Sequence, residues 1–123
     1  MRYDPNIAPN ALEWLDLDEG ERIAAIEEHH HLAGIRSGNA MAHAGIDAAV
    51  ETQLAEGMPI TVETLDRLLA EGMRRPDAIH LLASAISHEM FAMLKEQRLF
   101  DVDLYGTRLR GLTAETQGGG NGS

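Results

Sequence analysis

The sequence predicts an all-α fold, a compact single-domain bundle of five to six helices around a long helix over residues 76–99. Three observations carry this expectation. Apolar residues make up 44% of the 123 positions but aromatics only 4%, so the core must be built from Leu, Ile, Ala, Met and Val, a composition that suits helices better than sheets. Apolar positions recur at three- and four-residue intervals through most of the chain. Capping residues, prolines and glycines break that pattern into short segments.

In order, residues 1–9 carry two prolines and little periodicity and read as an irregular arm. Residues 10–113 form the helical domain, and the glycine-rich stretch 114–123 is expected to be disordered. Asn10 caps a short helix in which Leu12, Leu15 and part of Trp14 share a face, with the tryptophan pinning the arm to the domain. Asp18 and Glu21 make a capping box for a helix from Glu19 to Ala33, ended by Gly34. Its inward stripe is Ile23, Ile26, His30 and Ala33. Ser37-Gly38-Asn39 reads as a turn that leads into a helix to Glu56 with His43, Ile46, Val50 and Leu54 along one face. Thr61 reads as the cap of the next helix. Gly57 and Gly72 close consecutive helices with the same Leu-Ala-Glu-Gly ending. In the long helix, Pro76 occupies the first turn and Asp77 complements its positive end. Ile79, Leu82, Ala83, Ile86, Met90, Met93 and Leu94 give it a broad apolar face. Residues 101–113 allow a short last helix interrupted at Gly106.

The formal net charge is -10, from 20 acidic and 10 basic side chains, and there is no cysteine. The charge argues against nucleic acid as a partner. Missing thiols exclude disulfides, cysteine-ligated clusters and thiol catalysis. No apolar run approaches a membrane span and the start lacks a signal-peptide core, so the expectation is a soluble, cytoplasmic protein without a membrane partner.

Histidines and carboxylates supply the candidate chemistry. Glu27-x-x-His30 and Asp77-x-x-His80 each put a carboxylate and an imidazole one helical turn apart, and His43, Asp47 and Glu51 line a third helix in the same way. Helical carboxylate-bridged metal sites use such pairs, with iron, manganese or zinc as the ion. Glu27, His30, His43, Asp47, Glu51, Asp77 and His80 are therefore the candidate ligands of a divalent metal cofactor. The competing reading makes these histidines structural, bonded to neighbouring carboxylates. Ser84 and Ser87 lie near His80 and His88, but no nucleophile elbow or oxyanion segment accompanies them. No catalytic residue is assigned, and an enzyme is the less favoured reading. Met73, Arg67, Arg74 and Arg75 form a candidate interaction patch.

Tyr3-Asp4-Pro5, Glu13-Trp14-Leu15, Leu17 to Ile23, Asn39-Ala40, His43-Ala44, Val50-Glu51, Gln53 to Gly57 and Ala78-Ile79-His80 together resemble a family of small, uncharacterised proteobacterial proteins. The resemblance covers roughly residues 3–95 and implies a bacterial helical domain with no assigned activity. In that family a second histidine stands where this chain has Asp47, and a His-Glu pair where it has Pro76-Asp77. The first exchange keeps a possible ligand and the second removes one. The favoured function is a structural or protein-interaction module, with a protein partner or a homodimer. The alternative is a carboxylate/histidine metal-binding protein of oxidoreductase type.

Overall fold

The computed structural model describes residues 2–34 and 40–113, and these contain six α-helices and no strand. The order is α1 (Ala11–Asp16), α2 (Glu19–Leu32), α3 (Ala40–Ala55), α4 (Pro59–Ala70), α5 (Arg75–Glu96) and α6 (Val102–Arg110). The expected turn at residues 37–39 and the glycine-rich tail lie outside the described residues.

Local sequence explains most helix ends. Asn10 accepts from the Glu13 amide, and Asp18 and Glu21 form the full reciprocal box at the start of α2, satisfying amides that a helix leaves unpaired. Gly57 and Gly72 follow α3 and α4 with φ of 73° and 96°, a left-handed conformation that glycine adopts without a Cβ clash. Three expectations need correction. Helix α4 starts at Pro59 behind Met58, and Thr61 is buried inside it, donating to the Gln53 amide oxygen at 2.8 Å. Proline at the helix start costs no hydrogen bond there, so no side-chain cap was needed. Helix α6 runs unbroken through Gly106, which is buried beside Ile60 and Arg110. Leu12 and Leu15 are exposed, and Trp14 is the side chain that α1 buries.

Helix α5 heads the larger core. Ala78, Ile79, Leu81, Leu82, Ala83, Ala85 and Ile86 pack with Val50 of α3, Leu65 and Leu68 of α4, and Tyr105 and Leu109 of α6. A second core joins Tyr3 and Trp14 to Ala25 and Ile26 of α2 and to Ala44 and Ala48 of α3. Helix α3 therefore serves both cores, with small alanines toward α2 and larger side chains toward α5. The apolar face expected along the whole of α5 ends early. Met90 is 45% exposed and Leu94 79%, while Met93 stays half-buried.

Two buried carboxylates hold this arrangement. Glu51 of α3, 1% exposed, receives both terminal nitrogens of Arg75 at 2.8 Å and the Tyr3 hydroxyl at 2.5 Å. Arg75 also donates to the Pro5 carbonyl at 3.0 Å. One cluster thus ties the N-terminal arm, α3 and the start of α5, and the bidentate geometry is the strong form of such a contact. Burial, with the Glu51 charge beside it, pushes the Tyr3 hydroxyl pKa up, so it remains a donor. At the other end of α5, fully buried Glu89 accepts from Arg98 at 2.6 Å and from the Asp101 amide at 3.0 Å. Arg98 and that amide hold its carboxyl down at about 2, and Gln97, at φ 52°, turns the chain to permit the contact.

Replacing Arg75 with Met leaves Glu51 buried without its counter-charge, and removing one partner of a buried pair costs about 3–5 kcal/mol. Urea denaturation should show a loss of that order, against a much smaller loss for Tyr3→Phe. Equal, sub-kcal effects for both would refute this role. For Glu89, the native carboxyl titrates near 2 against an ordinary 4.5. Its stabilisation is complete above the ordinary value and fades as pH falls toward 2. The stability gap between wild type and Glu89→Gln should therefore narrow over that window, as read by thermal melts at stepped pH.

Candidate functional site

A cleft of about 450 Å³ opens between the N-terminal arm, α2, α3 and α5. Five of the six histidines line it: His29 and His30 from α2, His43 from α3, and His80 and His88 from α5. Among the described residues, Asp47 is the lone lining carboxylate and no lysine or arginine takes part. Ile46, Ile79 and Ala83 give the walls an apolar character, with Ser84 and Ser87 along α5 and Tyr3, Pro5 and Pro76 at the arm side.

Helical geometry explains the convergence. His80, Ser84, Ser87 and His88 fall on one side of α5 at steps of three, four and eight residues. His43 and Asp47 are one turn apart on α3, and α3 packs against both α2 and α5, so their side chains meet His30 and His80 in the middle. His30 Nε2 lies 3.3 Å from Asp47 Oδ2, with the two side chains 15% and 22% exposed. Burial pushes the Asp47 pKa up and neighbouring Glu51 adds to the rise, while His30 and His80 act in the opposite direction. The Tyr3 ring meets His29 edge-on at 5.8 Å between centroids, which fixes one wall.

Of the seven candidate ligands, four come together here: His30, His43, Asp47 and His80. Glu51 lies next to the cleft, but both its oxygens are held by Arg75 and Tyr3. Glu27 and Asp77 are half-buried and do not line the cleft. Among the described residues, no group of three or more His, Asp or Glu side chains is already arranged around one point to hold a metal ion. The basic patch is largely used by the fold: Arg67 bonds Glu71 and the Leu109 carbonyl, Arg75 holds Glu51, and Met73 is buried, leaving Arg74 exposed. Tyr3, His29 and His88 were not singled out as cleft residues from sequence. Spacing from His80 and Ser84 could have found His88, but no local signal points to Tyr3.

From the cleft, the same side of α5 continues to Phe91 and Leu94, 69% and 79% exposed, with Met90 beside them. No helix among the described residues is long and apolar enough to cross a membrane. No family model, curated protein or solved structure matches the chain, so the resemblance noted above is carried by its own residues alone.

Because burial raises the Asp47 pKa, its charge opposes folding at pH values above its ordinary titration range, and the penalty shrinks as pH falls. Asp47→Asn in chelator-treated protein should therefore be as stable as wild type or more stable at pH 7 in urea denaturation. A loss above about 2 kcal/mol, the scale of a lost hydrogen bond to a charged group, would show that the His30 contact outweighs burial.

Proposed function

We propose that this all-helical domain is a protein-interaction module that pairs with a second copy of itself through the exposed side of α5. The observation that carries the reading is one continuous surface stripe. His80, Ser84, Ser87, Phe91 and Leu94 follow at alternating four- and three-residue steps, flanked by His88, Met90 and Lys95. Its C-terminal part is apolar and exposed, a pattern that marks association surfaces when it is contiguous.

Charge favours a like partner on this side. The chain carries a net -10, and self-association through most of its surface would bring carboxylates together. Between Ala78 and Lys95, however, the one carboxylate is Glu89, which is fully buried against Arg98. The stripe is thus a surface on which two acidic chains meet without like-charge repulsion. An isologous pairing with α5 antiparallel to its copy sets the apolar end of each helix over the serine-lined middle of the other.

Light scattering coupled to gel filtration should return twice the chain mass, and Phe91→Glu and Leu94→Glu should each return the monomer. Leu12→Glu, at a residue 82% exposed on α1, should leave the dimer intact. A wild-type monomer at high concentration, or a dimer untouched by both α5 variants, would overturn the reading.

A further inference from the structure

We propose that the histidine-lined cleft takes one divalent transition-metal ion of zinc's size and geometry, held by His30, Asp47 and His80. The first support is metrical. Zinc bonds imidazole nitrogen and carboxylate oxygen at about 2.0–2.1 Å in tetrahedral sites, and two such ligands on one ion stand about 3.3 Å apart. His30 Nε2 and Asp47 Oδ2 stand 3.3 Å apart. That separation is long for a charge-assisted hydrogen bond, whose usual range is about 2.7–2.9 Å, and it equals one edge of a coordination tetrahedron.

The second support is electrostatic. Asp47 puts a carboxylate into a cleft whose lining, among the described residues, contains no lysine or arginine. Its neighbour Glu51 is already matched by Arg75. A cation bound in the cleft supplies the counter-charge to Asp47 directly. His80 is near enough to act on that charge, and it is exposed. An exposed side chain is free to turn its imidazole toward the pair, and this rotation completes a set that is not assembled beforehand.

Two imidazoles and one carboxylate leave one tetrahedral position facing the cleft, for water or a ligand. His30 supplies the lone pair of its Nε2 and Asp47 that of its Oδ2, the two atoms that already face each other. The donor set is a part of the seven-residue set expected from sequence, since Glu51 is committed to Arg75 and Glu27 and Asp77 do not line the cleft. All three ligands come from one chain, so the site needs no second copy to complete it, although His80 also lies on the α5 stripe.

The test uses the untagged chain, stripped with chelator and titrated calorimetrically with Zn²⁺, in wild type and in the Phe91→Glu background. One equivalent should bind in both. His30→Gln, Asp47→Asn and His80→Gln should each weaken binding at least about tenfold, the lower bound seen even for outer-shell changes. His31→Gln, an exposed histidine outside the cleft, should leave affinity unchanged. Cobalt added in place of zinc should give the visible bands of a four-coordinate site, lost in His80→Gln, whose exposed position keeps the fold safe. No saturable uptake, or uptake that all three substitutions leave unmoved, would overturn the proposal.

Discussion

A carboxylate buried at the centre of a helical domain must be given its charge partners by the fold, and Glu51 receives them from segments far apart in the chain. Arg75 lies 24 residues away and Tyr3 48 residues away. Satisfying Glu51 therefore fixes the arm, α3 and the first turn of α5 relative to one another. It also places Tyr3, Pro5 and Pro76 at the edge of the cleft. The same contact decides what the cleft can do. With Glu51 committed to an ion pair, Asp47 is the carboxylate left to face the histidines.

The second buried pair acts differently. Glu89 draws Arg98 and the Asp101 amide back under α5, so the chain reverses and α6 packs Tyr105 and Leu109 into the larger core. Here the covering of α5 stops. N-terminal of Glu89 one side of the helix is covered by three others, whereas beyond it Met90, Phe91 and Leu94 face outward. One helix is a core element for half its length and a surface element for the rest. Along its outer side, between Ala78 and Lys95, exposed carboxylates give way to histidine, serine and apolar groups.

Much of the fold was legible because it is written locally. Helix caps at Asn10 and Asp18 and the glycine endings at Gly57 and Gly72 depend on neighbours a few residues apart. Errors arose where tertiary context decides. Met90 and Leu94 satisfy helical periodicity, yet periodicity records which side is apolar, not whether another helix covers it. Thr61 has a cap-forming side chain, but Gln53 and the approach of Tyr105, which donates to that amide oxygen at 3.1 Å, give it a buried partner instead. For the site, helical spacing marked His30, His43, Asp47 and His80, and packing brought them to one cleft. Nothing near Glu51 in sequence announced Arg75 and Tyr3, so its removal from the ligand set could be seen only in three dimensions.

The dependence of the cleft on the Glu51 cluster is tested most directly by a double-mutant cycle of Glu51→Gln and Arg75→Met, read as unfolding free energy in urea. A buried, bidentate pair predicts strong coupling, with the double variant losing about 2 kcal/mol or more less than the sum of the single losses. Single losses that add to within about 0.5 kcal/mol would mean that the two side chains act independently. That result would contradict the account of how this fold positions its cleft.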